Sequence, residues 1–329
     1  MKAIHRVGAI ASLILGALSL NPAKVEAAEF RLGLITPPSH VWTQASNRFA
    51  EQLAAETKGE ITVRVFPGGQ LGSEADMMQQ MQSGVLEMAW LTAAVVSNRV
   101  PSYFAWFTPF LLKDVEQAIA AGNTPTAKQL LAELEPLGIK GQGYMFAGMR
   151  QILMRSGEIR SEADLANKKI RIYPFPATQA WYQGARAVPT PVGLTEVYQS
   201  LNNGLLDGVD IDFDALVGLS LQQVASSLTV TNHMPWPAVV MIDAGTWGRL
   251  SPEHQKAFQK VLDDTIAWAN EAQISAEKRH LEQLRGQIKV LDVDDPAAKF
   301  RNADSAFEKR FANLPSMAAF RKDVQALGR

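Results

Sequence analysis

The densest chemistry in the sequence is Asp207-Gly208-Val209-Asp210-Ile211-Asp212-Phe213-Asp214, four carboxylates within eight residues. In an extended strand, residues two apart share a face, so Asp210, Asp212 and Asp214 would line up. Three such carboxylates suit calcium, an amine or the hydroxyls of a sugar. Counted from Asp210, however, the sixth position is Ala215 and the twelfth is Leu221. A calcium loop needs glycine and glutamate there. A second reading needs no ligand: a strand ends, and aspartates cap the helix that follows. A carboxylate pair could also serve glycoside hydrolysis, but nothing in the spacing assigns an acid and a base.

Other reactive patterns are missing. The chain has no His-Glu-x-x-His, no Gly-x-Ser-x-Gly and no glycine-rich loop followed by Lys-Ser/Thr. Gly68-Gly69-Gln70-Leu71-Gly72 lacks the lysine of a phosphate loop and reads as a turn into a capped helix. There is no cysteine, which excludes disulfides, thiolate metal sites, a cysteine nucleophile and a lipid-anchored N-terminal cysteine. The histidines are scattered, and His254 and His280 fall in a charged stretch that reads as solvated. No cofactor motif is found. Lys and Arg number 32 against 33 Asp and Glu, and so balanced a chain lacks the basic surplus that nucleic-acid binding requires.

These residues need a scaffold, and 329 residues at 47% hydrophobic content is enough for two compact lobes. Phe30–Ile35 alternates as a strand does, and Pro37-Pro38-Ser39 breaks it. Trp42, Ala45, Phe49 and Leu53 recur at helical spacing up to Gly59. Residues 61–66 form a second strand. Ser73 with Asp76 makes a capping box before a Met-rich helix that ends at Gly84, and residues 86–91 are a third apolar run. Strand–helix–strand–helix–strand predicts an α/β layer on a parallel-type sheet. A second unit repeats this logic. It has a Ser161/Asp164 capping box, a strand over 169–173, a helix capped by Thr195 and a strand over 205–211. Residues 238–242 read as a buried strand. Ser251-Pro252-Glu253 is a strong helix start, and neither proline nor glycine interrupts the chain before Gly286. One helix, or two nearly collinear ones, of roughly 50 Å would lie across both lobes.

Residues 1–27 have the form of a secretory signal peptide. Lys2 and Arg6 precede an apolar run over 7–20, and Val25 and Ala27 flank a cleavage position before Ala28. The run is too short for a stable anchor, and Asn21-Pro22 ends it. Cleavage would remove three basic side chains and one acidic one, taking the net charge from −1 to −3. The expected product is an unanchored periplasmic protein that is not embedded in the membrane.

An ordered set of segments resembles the periplasmic solute receptors of TRAP transporters, the dicarboxylate-receptor (DctP-like) family. The segments are Phe49-Ala50, then 57–72 (TKGEITVRVFPGGQLG), Gly84-Val-Leu-Glu-Met88 and Asp164-Leu-Ala-Asn-Lys-Lys-Ile-Arg171. They continue with 189–198 (PTPVGLTEVY), Gly204-Leu-Leu-Asp-Gly208, Thr231-Asn-His233 and Trp247 before the Ser251 helix. The resemblance implies an α/β, two-lobed, periplasmic-binding-protein-like (type II) fold with a long helix spanning both lobes. It places residues 28–147 plus 235–270 in the first lobe and 148–234 plus 271–329 in the second. It also implies capture of a small organic acid in the interlobe cleft and delivery to TRAP membrane permease subunits.

By the same resemblance the main ligand anchor is Arg171, which ends the Lys-Ile-Arg strand. Its planar guanidinium pairs two-pronged with a carboxylate. Arg150, in Gly148-Met-Arg150, is the second. Trp90, Thr92, Thr36, His40, Tyr173, Phe175 and Leu194 are softer candidates around the cleft. Many members carry Glu-Asn after the Asp-Gly pair, with the Asn on the ligand. Here Asp210-Ile211 stands there, with Asp212 beyond. An acid near the pocket argues against a plain dicarboxylate and for a sugar acid or a zwitterion. The competing function is a periplasmic hydrolase or lyase using Asp210, Asp212 and Asp214. A receptor for an ATP-driven importer or a sensor would differ only in partner.

Overall fold

The computed structural model describes residues 28–328, so the signal peptide read at 1–27 lies outside the described residues. Among the described residues, eleven strands form two sheets: β1 (Ala28–Gly33), β2 (Ile61–Phe66), β3 (Met88–Thr92), β4 (Ile139–Met149), β5 (Gln151–Met154), β6 (Lys169–Ile172), β7 (Val188–Pro191), β8 (Gly208–Ile211), β9 (Ser227–Val230), β10 (Pro235–Asp243) and β11 (Lys289–Asp292). The first sheet has the order β2-β1-β3-β10-β4, the second β11-β9-β5-β8-β6-β7.

Each sheet is built around the same unit. β1 lies between β2 and β3, parallel to both, and β6 lies between β7 and β8, parallel to both. This is the predicted β-α-β-α-β pattern, with connecting helices Val41–Glu56 and Glu74–Gln82 in the first unit and Pro176–Gly184 and Val197–Asn202 in the second. The sheets are nevertheless mixed. β10 runs antiparallel to β3 and β4, and β5 runs antiparallel to β8 and β9. The reason is connectivity. β4 passes into β5 of the other sheet through Arg150 alone, and the chain returns from β9 into β10. All nine residues of β10 are buried, as a strand covered on both faces must be.

The helix Pro252–Arg285 is continuous over 34 residues, about 50 Å at 1.5 Å per residue. The Ser251 hydroxyl accepts from the His254 N–H at 3.1 Å, and Pro252 sits where its missing N–H costs nothing. The helix packs on Val41–Glu56 and β4 at one end and on Phe213–Gly218 and β11 at the other, so it ties the two sheets together. Where it crosses β4, Gly148 has φ +99°, and a Cβ there would lie 1.5 Å from Glu277 Oε1. Glycine is required on both counts.

Two local expectations change. Thr195 does not cap its helix: a 3₁₀ turn over Leu194–Glu196 starts after Gly193, and the α-helix follows from Val197. The C-terminal region also divides. Arg301–Phe311 packs on the second unit's helix Pro176–Gly184, but Pro315–Leu327 packs against Pro101–Phe107 and Pro125–Ala132, beside the first sheet. Its Met317 and Phe320 are fully buried, and Phe320 lies 4.7 Å from Trp106, so apolar burial carries this helix away from the lobe expected for 271–329. Among the described residues no helix is long and apolar enough to cross a membrane.

Candidate functional site

Parallel strands leave their side chains and the following helix starts at their carboxyl ends, and ligand crevices form there. The carboxyl ends of β1, β3, β6 and β8 converge on one small, nearly closed cavity. Thr36 and His40 follow β1, Thr92 ends β3, Arg171 and Tyr173 come from β6, and Asp212 follows β8. Arg150 and Trp236 enter from the two crossing segments, and Leu194 follows β7. Eight of the residues expected from sequence thus share one wall: Thr36, His40, Thr92, Arg150, Arg171, Tyr173, Leu194 and Asp212.

Three expected residues are elsewhere. Trp90 is fully buried in β3, its ring 6.1 Å from that of Phe49, because it faces the helix behind the sheet. Phe175 stacks on Phe104 and abuts Phe107, forming the apolar seam between the two halves. Asp210 lies one layer behind the wall. Its carboxylate accepts from Arg150 Nε at 2.5 Å and from the Tyr182 hydroxyl at 3.0 Å, and His233 Nε2 stands 2.9 Å away. Burial opposes its charge, but Arg150 and His233 hold its pKa well below the usual carboxylate range.

The aspartates do not share a strand face. β8 ends at Ile211, and Asp212 is the N-cap of the helix Phe213–Gly218, its Oδ1 accepting from the Ala215 N–H at 2.8 Å. Asp212 Oδ2 accepts from Arg150 Nη1 at 3.0 Å. Asp214 Oδ2 accepts from the Val41 N–H at 2.8 Å. Among the described residues no group of three or more His, Asp or Glu side chains is arranged to hold a metal ion. Most of the oxygens that a calcium or acid–base reading would need are already engaged in caps and ion pairs.

Arg150 is therefore saturated. Its Nε and Nη2 engage Asp210, Nη1 engages Asp212, and its guanidinium carbon sits 4.2 Å over the Trp236 ring. Arg171 is different. Its Nε donates to the Val192 carbonyl at 2.9 Å and its Nη1 to the Asp210 carbonyl at 3.2 Å. Among the described residues it forms no ion pair. Burial and the neighbouring Arg150 lower its pKa to about 10, so it is still a cation at neutral pH, with nothing fully opposing its charge.

Three polar or aromatic wall residues were not expected at the site: Glu74, Trp236 and Trp42, the last read only as a helix position. Glu74, at the start of the helix Glu74–Gln82, is buried, with Oε1 accepting from the Thr92 N–H at 2.6 Å and Oε2 from the Thr92 hydroxyl at 3.1 Å. Burial raises its pKa against these hydrogen bonds. Its signal was present, since Glu74 shares a helical face with Met77, Met78 and Met81, an acid placed on the apolar side. Trp236 is the second residue of the buried strand β10, two residues before the apolar run over 238–242. The cavity thus holds one unopposed guanidinium, hydroxyls from Thr36, Thr92 and Tyr173, carboxylate acceptors from Glu74 and Asp212, and indole walls from Trp42 and Trp236.

Residues 32–312 match the family model described as bacterial extracellular solute-binding protein, family 7. The chain is 26% identical over 248 residues to the 2,3-diketo-L-gulonate-binding periplasmic protein of Escherichia coli, covering 75% of this chain and 76% of that one. A TRAP periplasmic solute-binding protein from Roseobacter denitrificans, solved with bound β-D-glucuronate, superposes with a TM-score of 0.85 at 25% identity, over 91% of this chain and 99% of that one. A second, from a Bradyrhizobium species in complex with D-galacturonate, gives 0.84 at 27% identity, again over 91% and 99%.

Proposed function

The chain belongs to bacterial extracellular solute-binding protein family 7, and on that premise we propose that its ligand is a sugar acid whose carboxylate is held by Arg171. The protein is a solute receptor and not an enzyme. The observation that carries the ligand class is the contrast within one wall: a buried arginine without a carboxylate partner, surrounded by hydroxyls and acidic acceptors. A carboxylate at Arg171 would complete a two-pronged pair, strengthened by exclusion of water. Glu74 and Asp212 would accept from ligand hydroxyls, and Trp42 and Trp236 would cover the apolar face of a sugar ring. A second carboxylate would meet Glu74 or Asp212 and be repelled, which disfavours a plain dicarboxylate. Uronates bound to the similar receptors have this make-up: one acid end and several hydroxyls.

Each sheet, with its packed helices, would be one lobe, and the ligand would bridge Arg171 in the second to Thr92 and Glu74 in the first. Closure follows because the ligand contacts both lobes only in the closed form. The closed receptor would then dock on TRAP permease subunits, after export to the periplasm and removal of residues 1–27. Calorimetry against D-glucuronate, D-galacturonate, a sugar-derived aldonate and succinate tests the ligand class. A uronate or aldonate is expected to bind and succinate is not. Binding of succinate alone would overturn this reading.

A further inference from the structure

Neither Asp214 nor Val41 lines the cavity or belongs to either sheet, yet the two are hydrogen-bonded. Asp214 lies in the first turn of the helix Phe213–Gly218, which follows β8 of the second sheet. Val41 is the first residue of the helix Val41–Glu56, which packs on β2 of the first. The bond is 2.8 Å long, it joins residues 173 apart in sequence, and both partners are buried. The first N–H groups of a helix have no partner inside it. Here the carboxylate that satisfies one of them is supplied from the opposite side of the cleft. A negative charge at a helix N-terminus is favourable in addition to the hydrogen bond itself. The neighbouring donor, the Trp42 N–H, is satisfied locally by His40 Nδ1 at 3.1 Å, so Asp214 has one defined task there. His40 Nδ1 and His280 Nδ1 also face Asp214, at 3.5 Å and 4.0 Å.

We propose that Asp214 is the latch of the closed cleft: by capping the helix of the opposite lobe it holds the lobes together and slows ligand release without touching the ligand. It is a positioning residue. The proposal rests on the two-lobed receptor reading given above, and it assigns to the closed state a bond that any opening of the cleft at this edge must break.

The bond can be removed from either end. Asp214→Ala removes the acceptor and its charge. Val41→Pro removes the donor and keeps the helix, because proline is favoured at the first helical position. His40 already has φ −67° and ψ 142°, the extended conformation that a residue before proline needs. The chain has no cysteine, so Val85→Cys and Leu205→Cys, at exposed positions on the first and second units, give two spin labels on an otherwise unlabelled background. Interlobe distances are then measured by pulsed electron resonance on the doubly labelled mature chain, without ligand and with saturating D-galacturonate.

Each variant is expected to raise the open-to-closed ratio of the ligand-free protein about tenfold, the size of one charge-assisted hydrogen bond. The two changes together should do no more than either alone. Circular dichroism and Tm of Val41→Pro should match the parent. Unchanged distance distributions in both variants would overturn the latch, as would full additivity. The sugar-acid reading fails separately, if no uronate or aldonate closes the parent protein, and that outcome leaves the ligand-free comparison intact.

Discussion

Arg150 and Arg171 stand in the wall of one cavity and are equally buried, yet their surroundings differ in kind. Arg150 has a carboxylate on two sides and an indole face at 4.2 Å. Arg171 has two backbone carbonyls. A buried cation with its counter-charges in place belongs to the framework, and its removal strands those counter-charges. A buried cation without a paired carboxylate is held by the fold at some cost, and on the proposed reading the ligand supplies that partner. Residue type and burial are the same at both positions, so neither separates structure from function here. The partner list does.

This contrast is tested most severely at Arg150. Arg150→Met should leave Asp210 and Asp212 buried without their shared cation and lower stability by about 3–5 kcal/mol. Thermal unfolding is expected to show Tm lower by roughly 10 °C, taking about 2–4 °C per kcal/mol for a chain of this size. An unchanged Tm would mean that the Arg150 network does not support the fold.

Arg171→Met should do the reverse. Replacing an unopposed buried cation by an apolar side chain of similar volume is neutral or stabilising. Ligand affinity, in contrast, should fall by about 2–5 kcal/mol, roughly thirtyfold to several thousandfold in Kd. Calorimetry that returned the parent Kd would move the carboxylate anchor away from Arg171. Loss of both fold and binding would erase the distinction between the two arginines.

Tyr182→Phe sharpens the comparison on a smaller scale. The Tyr182 hydroxyl donates to Asp210 at 3.0 Å and touches Arg150 only through it. Its loss should cost about 1–2 kcal/mol of stability, since one charged acceptor keeps its other partners. Chemical denaturation at unchanged m-value would measure it. Affinity should change less than threefold, because the Arg171 side of the wall is untouched.

The sequence made the scaffold legible wherever a local signal had a local cause. The Ser251-Pro252 start and the absence of breakers before Gly286 gave the long helix nearly to the residue. The alternation in 61–66 gave β2, and the Ser73/Asp76 and Ser161/Asp164 boxes gave two turn starts. Of the residues expected from the resemblance, Arg171 and seven others line one cavity. What failed depended on partners distant in the chain. The Asp210–Asp212–Asp214 run looked like a single face because period two continued past Ile211. In the fold the strand stops there, and the three carboxylates serve Arg150, a helix cap and the helix of the other lobe. Trp90 and Phe175 looked like cleft aromatics, but an aromatic at a strand end fits an apolar seam equally well. Glu74 was hidden by the capping box beside it, although its helical face was apolar.

Glu277 offers the test best separated from the ligand. It lies behind the wall, on the long helix where that helix crosses Gly148, with Oε1 accepting from the Met149 N–H at 3.2 Å. Gln273 and His280 flank it on the same helix, and Asp212 and Asp214 face it from the second unit. Burial, then the charge of Asp212, raises its pKa to about 8 from an ordinary value of 4.5. Below about pH 4.5 both folded and unfolded chains hold this proton, and its contribution to stability is fully present. Between about 4.5 and 8 the unfolded chain releases the proton while the folded chain keeps it, so stability declines, and above about 8 the decline levels off. Glu277→Gln keeps the shape and removes the titration. Its Tm should therefore fall less than the parent's between pH 5 and pH 9, with little difference between the two proteins at pH 5. Parallel profiles would show that Glu277 ionises in the folded chain as it does in water. The polar layer beneath Arg150 would then be as well solvated as the cleft, and the division drawn between Arg150 and Arg171 would lose its basis in burial.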